Sequence, residues 1–186
     1  MANPAPNKSD EQLLSEFLGG RTVALGELAR RYEAPLLGLA CGVLGGRRDL
    51  ASDAVQETWL RVIRFGKQFA GRSCFKTWLY RIALNQCRSL QAPRVAPSLD
   101  GDAGALPVDD RRPDRAAQQA DENHALRAAV GRLDEDRRLV VLLCYHAGMT
   151  HAQAAEILDV PLGTLKSRLH AALTELRTTL GAEVTP

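Results

Sequence analysis

The chain has 186 residues, of which 45% are apolar and 25% are charged, and its formal net charge is +2. This is enough apolar material for one domain or two small ones, while so small a net charge does not by itself indicate nucleic-acid binding. The amino terminus lacks the apolar run of a signal peptide and no segment approaches the ~20 apolar residues of a membrane helix, so we expect a cytoplasmic protein without membrane insertion.

The four cysteines are widely spaced, and no two form a CxxC pair. Neither a disulfide framework nor a zinc site is therefore indicated, and we predict no metal and no cofactor. The thiols are expected to be reduced and mostly buried. They are Cys41, Cys74, Cys87 and Cys144.

Helical spacing dominates the first part of the chain. Ser9 and Gln12 have the spacing of a capping box, and Thr22 and Asp49 are also predicted to cap first turns. Pro35 is expected to kink or split the second helix. No long period-two alternation appears, so we predict an all-α fold. One apolar face recurs every three or four residues at Leu25, Leu28, Ala29, Tyr32, Leu36, Leu39 and Val43.

A basic and aromatic window follows, between Leu60 and Gln91. It contains seven cations and no acid, and six of the nine aromatic residues lie in it or at its edge. The cations are Arg61, Arg64, Lys67, Arg72, Lys76, Arg81 and Arg88, and the aromatics are Trp59, Phe65, Phe69, Phe75, Trp78 and Tyr80.

This window is typical of a surface for unpaired nucleic acid, because exposed bases stack on rings at ~1–3 kcal/mol each while cations follow the backbone. We expect Trp78 and Tyr80 to be exposed, and Phe69, Tyr80 and Asn85 to form a pocket for an extruded base. Alternatively the rings belong to the core and the cations solubilise the surface, an interpretation that is stronger for Phe65 and Phe75.

The composition then changes to a linker rich in Pro, Gly, Ala and Asp. We predict a first domain at 9–91, a flexible linker at 92–122 and a second helical domain at 123–181. Disordered solvation alone would explain the excess of acid in the linker, which carries seven acids against four arginines.

Two short helices are predicted after the linker, one containing Leu126, Val130 and Leu133 and one that ends at Gly148. Thr150 then begins a helix by capping-box spacing, "DVP" breaks it, and a second helix starts near Thr164. Two helices joined by a tight turn are typical of a helix-turn-helix.

The second helix of this pair is predicted to meet duplex DNA with its first turns. Leu165, Leu169, Ala172, Leu173, Leu176 and Leu180 share the inward face, which leaves Lys166, Ser167, His170 and Arg177 outward. The alternative is a helical hairpin with an ordinary solvated face. A tethered pair of domains, one for separated strands and one for duplex, is suited to promoter melting.

At these residues the sequence resembles the extracytoplasmic-function sigma factors of the sigma-70 family. "DLASDAVQETWLRVIR" is similar to the segment that docks on RNA polymerase core, and residues 53, 56, 57 and 60 independently share one helical face. The resemblance implies core contacts by Asp53, Gln56, Glu57, Leu60 and Arg61.

"FAGRSCFKTWLYRIALNQC" resembles the segment of the family that recognises the minus-ten element, and "DVPLGTLKSRLHAAL" resembles the segment for the minus-thirty-five element. Many relatives carry a basic residue where this chain has Ala171. The implied minus-ten residues are Phe69, Ala70, Gly71, Arg72, Ser73, Cys74, Lys76, Trp78, Tyr80, Arg81, Asn85 and Arg88. The implied minus-thirty-five residues are Gly163, Thr164, Lys166, Ser167, Arg168 and His170.

The resemblance also implies the partners. These are RNA polymerase core, through the clamp helices of its largest subunit and the flap of its second-largest, promoter DNA, and an anti-sigma factor. The linker is expected to run toward the active-centre and RNA-exit channels.

Two other functions compete with this one. A stand-alone helix-turn-helix regulator would leave the acid-free window without a role. An enzyme that used Cys144, His146 and His151 would lack a fourth metal ligand or a carboxylate to orient the base, so we predict a non-enzymatic initiation factor.

Overall fold

The computed structural model describes residues 8–91 and 125–183 of the chain. The amino-terminal unit, residues 8–91, contains α1 (Asp10–Leu18), α2 (Thr22–Val43), α3 (Arg48–Phe65) and α4 (Phe75–Gln91). A short 3-10 turn at Gly66–Gln68 and a loop connect α3 to α4. The predicted linker at 92–122 lies outside the described residues.

The carboxy-terminal unit, residues 125–183, is also helical. Residues 125–132 form α5, and Glu135–Val141 form α6, which continues into a π-helical turn at Leu142–His146. The last two helices are α7 (His151–Leu158) and α8 (Leu162–Glu183), and α6 and α7 both pack against α8. The all-α prediction is confirmed for both units.

The predicted capping boxes are present. Ser9 accepts a hydrogen bond from the Gln12 amide while the Gln12 side chain accepts one from Ser9, and Thr150 forms the same pair with Gln153. The cap expected at Thr22 is wrong, since Thr22 is the first residue of α2 itself. Such local hydrogen bonds follow directly from sequence spacing.

The cap expected at Asp49 is also wrong, and of the two alternatives expected at Pro35 the split is excluded. Arg47 holds the N-cap position of α3, so Asp49 lies in the first turn, where its charge complements the helix dipole instead of capping. α2 continues unbroken through Pro35 and is not split. Leu36 and Leu39 beyond the proline are as fully buried as Leu28 before it, so core packing on both sides outweighs the lost hydrogen bond.

The core of the amino-terminal unit holds α4 against α2. Phe75, Leu79 and Tyr80 of α4 are buried. The Tyr32 ring from α2 meets the Phe75 and Tyr80 rings edge-on, with centroid separations of 5.9 and 6.4 Å. Edge-to-face aromatic pairs add stability beyond the area that they bury, so this cluster sets the position of α4.

Polar contacts from α1 tie the same helices together. Arg31 donates to Asp10 Oδ1 at 2.8 Å, and the Tyr32 hydroxyl donates to Asp10 Oδ2. Glu11 Oε1 accepts from the amide of Phe75 at 2.9 Å, and this hydrogen bond is the main reason that the pKa of Glu11 is lowered. A carboxylate of α1 therefore caps the first turn of α4.

We predict that Tyr32→Phe lowers the free energy of unfolding by about 1–3 kcal/mol, because a partly buried hydrogen bond to a carboxylate is lost while the ring remains. Urea unfolding followed by circular dichroism measures the change. Tyr145→Phe is the matched control, since Tyr145 is 64% exposed. If both variants have the wild-type stability, the Asp10 contact does not stabilise the fold.

Candidate functional site

The loop at 69–74 and the first turns of α4 form a surface with cations and no acids of its own. Ala70, Gly71, Arg72 and Cys74 are exposed and Ser73 is half-buried. Gly71 has a φ of +66°, a left-handed conformation that glycine adopts without strain. Arg88 is exposed further along α4. We call residues 69–74 together with Lys76, Trp78, Arg81 and Arg88 the cationic strip.

Two rings of the cationic strip stay partly accessible. Phe69 and Trp78 are half-buried, and their ring centroids are 5.3 Å apart. Both also contact the buried Phe75 ring, at 6.2 and 6.0 Å. Phe69 and Trp78 therefore form an aromatic surface that is anchored on the core and partly accessible, and we call it the ring ledge. Such a surface can stack on a base without prior reorganisation.

The expectation that the Tyr80 ring is exposed is wrong. Its relative exposure is 1%, and burial raises its pKa to about 12. Asn85, five residues further along the helix, faces solvent, so Tyr80 and Asn85 lie on different faces. In this arrangement the predicted pocket of Phe69, Tyr80 and Asn85 is not assembled.

Part of the cationic strip contacts the carboxy-terminal unit. Lys76 Nζ donates to the carbonyl oxygen of Gly148 at 3.4 Å. Arg81 Nη2 donates to the backbone oxygen of Glu156 at 2.7 Å and lies 3.3 Å from its Oε1. Gln153 Nε2 lies 3.4 Å from Cys74 Sγ. The turn before α7 and α7 itself therefore lie beside the loop at 69–74 and the first two turns of α4.

The predicted helix-turn-helix is formed by α7 and α8. Asp159 adopts a left-handed conformation with φ 55°, which allows the tight turn after α7. α8 begins at Leu162, slightly before the predicted start. The predicted inward face is found, with Leu165, Leu169, Ala172 and Leu176 buried and Leu173 and Leu180 half-buried.

The first turns of α8 present polar groups to solvent. Gly163, Lys166, Ser167 and His170 are exposed, and Thr164 is half-buried. The Ser167 hydroxyl donates to the Thr164 carbonyl at 2.9 Å, a local hydrogen bond that a base edge would have to replace. This arrangement can present side chains to a major groove.

Arg168 has a partner that the sequence did not indicate. Its Nη2 lies 2.7 Å from Asp136 Oδ2 of α6, and its side chain is 29% exposed. Nearby, Arg137 Nη1 lies 2.6 Å from Glu175 Oε2, so two ion pairs join α6 to α8. In this structure the Arg168 guanidinium helps to hold α8 against α6, and only part of its side chain reaches the exposed face of α8.

A groove of about 310 Å³ lies between α2 and α3, beside the predicted core-binding face. Asp53, Gln56 and Arg61 are exposed, whereas Glu57 and Leu60 are half-buried. Glu57 and Arg61 pair along the helix at 3.6 Å. The groove is lined by Glu33, Leu37, Ser52, Val55, Gln56, Trp59, Leu60 and Ile63.

The sequence predicted only part of the α3 side of this groove, namely Gln56 and Leu60. Ile63, which is 47% exposed, continues the spacing of Gln56 and Leu60 by one turn and could have been found from it. Leu37 comes from α2, and no local pattern pairs it with α3. Trp59 Nε1 is buried without a hydrogen-bond partner in the described residues.

The residues of the competing enzyme hypothesis show no shared site. Within residues 8–91 and 125–183, no three His, Cys, Asp or Glu side chains are grouped so as to hold a metal ion. His146 Nε2 lies 3.3 Å from the Pro35 carbonyl oxygen, and burial raises the pKa of Cys144.

Within residues 8–91 and 125–183, no helix combines the length and apolarity needed to cross a bilayer.

Comparison with known sequences matches both units to one family. The family described as "Sigma-70 region 2" matches residues 28–91, and "Sigma-70, region 4" matches residues 123–176. The RNA polymerase sigma-H factor of Pseudomonas aeruginosa is 27% identical, covering 89% of this chain and 90% of that protein. The ECF RNA polymerase sigma-E factor of Haemophilus influenzae is 29% identical, covering 90% and 93%.

Solved structures show the same fold. CnrH, in complex with the cytosolic domain of CnrY, aligns with a TM-score of 0.71 and 23% identity over 94% of this chain and 99% of that one. The sigma factor RpoE of Bartonella quintana, in complex with the anti-sigma factor NepR, aligns with a TM-score of 0.64 and 23% identity, covering 86% and 99%.

Proposed function

Because the chain belongs to the sigma-70 family as an extracytoplasmic-function sigma factor, we propose that it directs RNA polymerase core to a set of promoters and opens the DNA there. The observation that carries this proposal is the combination, in one chain, of two partly accessible rings in a cationic segment without acids of its own and a helix-turn-helix whose first turns face solvent.

The cationic strip is proposed to hold the unpaired minus-ten strand. Phe69 and Trp78 supply the stacking ledge, and Arg72 and Arg88 are exposed cations for the phosphates. The loop at 70–74 is short and accessible, so it can meet the edge of an extruded base. Phe75 supports both rings from the core, with ring centroids 6.2 and 6.0 Å from those of Phe69 and Trp78.

The start of α8 is proposed to bind the minus-thirty-five duplex. Gly163 and Thr164 place backbone amides at a helix N-terminus, where a phosphate is favoured. Lys166 adds a positive charge, and Ser167 and His170 can hydrogen-bond to base edges. Arg168 is proposed to contact the phosphate backbone of the DNA, and its guanidinium would then be shared between a phosphate and Asp136.

The groove between α2 and α3 is proposed as the docking face for the clamp helices of the largest polymerase subunit. Apolar Leu60 and Ile63 beside polar Gln56 and Asp53 suit a helical partner with an apolar stripe and a charged rim. The flap of the second-largest subunit is proposed to meet the carboxy-terminal unit.

We further propose an anti-sigma factor as a regulatory partner, a cytoplasmic location and the absence of any enzymatic activity. Sigma factors among the structural neighbours are bound by such partners, as the RpoE and NepR complex illustrates. Catalysis of RNA synthesis would then belong to the polymerase alone.

We predict that Trp78→Ala impairs strand opening roughly tenfold or more, since stacking on one base is worth ~1–3 kcal/mol. The assay uses a promoter mapped from transcripts induced by overexpression, with core enzyme, and reads permanganate reactivity of unpaired thymines. Phe65→Ala is the matched control, because Phe65 is 42% exposed at the end of α3, outside the strip. Equal opening by both variants would exclude the ledge as a base platform.

The same promoter tests the competing regulator hypothesis. A sigma factor should bind a premelted promoter fork tightly only when core is added. Tight and sequence-specific duplex binding by the chain alone, unchanged by core, would favour a stand-alone regulator.

We expect Lys166→Ala to weaken minus-thirty-five binding equally across sequences and to lower the salt slope by about one unit, as loss of one phosphate contact requires. Titrations of a duplex into the variant and core at several salt concentrations give the slope. Arg177→Ala, three turns further along α8, should leave it unchanged. A wild-type slope for Lys166→Ala would place this side chain off the DNA.

We expect Ile63→Glu to weaken binding to core at least tenfold, because a charge would be buried against an apolar partner surface. Val23→Glu is the control, since Val23 is an apolar side chain of α2 that is 67% exposed and does not line the groove. Co-sedimentation with purified core measures both. Wild-type binding by Ile63→Glu would exclude the groove as the docking face.

A further inference from the structure

One apolar side chain lies among the polar groups at the start of α8. Leu162 is the first residue of this helix and is 43% exposed. Lys166 and His170 follow it at intervals of four residues, so the three side chains lie along one face of α8. Lys166 and His170 are both exposed, and both belong to the surface proposed for the minus-thirty-five duplex. An apolar group is therefore present on a face that otherwise offers charge and hydrogen bonds.

The fold itself makes little use of the Leu162 side chain. Among the described residues, Leu162 belongs neither to the buried core nor to the half-buried apolar side chains that pack against it, whereas Val160 and Leu165 on either side do. The groups that stabilise the first turn of a helix are side-chain oxygens and carboxylates, and leucine supplies neither. Single exposed leucines are common on protein surfaces, so it is the place of Leu162 on α8, and not its exposure alone, that indicates a role.

The turn before α8 fixes where this side chain lies. Val160 is half-buried against the core, Leu165 is fully buried, and the Leu165 amide donates to the carbonyl oxygen of Pro161 at 3.1 Å. Leu162 is thus held between two anchored positions. Side chains of a helix tilt toward its amino terminus, so a leucine at the first position projects toward the end of α8 that is proposed to enter the groove. A Cβ at the neighbouring Gly163 would meet no atom within 4 Å, so the space beside Leu162 is open.

The major groove of DNA presents one apolar group to such a side chain, namely the 5-methyl group of thymine. All other groups on the base edges there are hydrogen-bond donors or acceptors, which a leucine cannot satisfy. We propose that Leu162 contacts the 5-methyl group of one thymine in the minus-thirty-five element and so makes thymine the preferred base at that position. Cytosine would instead place an amino group against the leucine, where the amino group has no acceptor. The inference rests on the proposed role of α8 in binding the minus-thirty-five duplex.

The test removes the methyl group without changing any hydrogen-bonding group of the base. The duplex carries the minus-thirty-five element of the promoter mapped from transcripts induced by overexpression, and each thymine of either strand is replaced in turn by deoxyuridine. Fluorescence anisotropy gives the affinity of the full chain with core for each duplex. One of these replacements should weaken binding by the wild-type chain by about fourfold, as the loss of one buried methyl group predicts.

Four variants show whether Leu162 is the side chain responsible. Leu162→Ala should bind the thymine and deoxyuridine duplexes equally, whereas Leu162→Met should keep most of the preference, because methionine is apolar and of similar volume. Leu126→Ala is the matched control, since Leu126 is an apolar side chain of α5 that is 45% exposed, and it should keep the wild-type preference. Lys166→Ala should weaken the binding of both duplexes by the same factor, because a phosphate contact does not depend on the methyl group.

Several results would overturn the inference. These are an element without thymine, a wild-type chain that binds every deoxyuridine duplex as well as the parent duplex, and a preference that persists in Leu162→Ala. Loss of the preference in Leu126→Ala would also count against a specific contact by Leu162. In each of these cases, stronger binding of the element than of a scrambled duplex would leave the minus-thirty-five role of α8 intact. Equal binding of the element and the scrambled duplex would overturn that role, and the inference with it.

Discussion

The structure depends on one requirement of α4: it must bury a row of large side chains on one side while it keeps a cationic surface on the other. Phe75, Leu79 and Tyr80 meet this requirement by packing with Tyr32 of α2. The amide of Phe75 is capped by Glu11 of α1, so the helix starts at a defined position. These contacts therefore fix the positions of Phe69, Trp78 and the exposed loop before α4.

The absence of acids in the same window has an electrostatic consequence. Arg61, at the edge of the window, pairs with Glu57 of the same helix. The other cations have no carboxylate inside the window, so partners for them come from other parts of the chain or from a ligand. In the structure Arg81 pairs with Glu156, and Lys76 donates a hydrogen bond to the carbonyl oxygen of Gly148. Since both contacts are largely exposed, they are individually weak, and phosphates can compete with them.

The contact between the two units and the proposed binding of the minus-ten strand therefore involve two of the same side chains, those of Lys76 and Arg81. The proposed core-binding groove between α2 and α3 lies outside that contact, because none of its lining residues belongs to the carboxy-terminal unit.

The local features of the molecule could be predicted from the sequence. Helix periodicity, the two capping boxes, the turn between α7 and α8 and the inward leucines of α8 all depend on residues within a few positions of one another. The acid-free cationic window is likewise a property of composition. These features were enough to predict the fold class, whereas the family was predicted from the resemblance of three segments to sigma factors.

What the tertiary structure decided were contacts between residues far apart in the chain. Tyr80 and Trp78 are two positions apart in a window with several rings, and it is the packing of α4 against the other helices, with Tyr80 against Tyr32 of α2, that makes Tyr80 the buried one. The pairing of Arg168 with Asp136 and the fit of Leu142 onto Gly42 are of the same kind. Periodicity indicates that a face is covered, but which residue covers it depends on how separate helices come together.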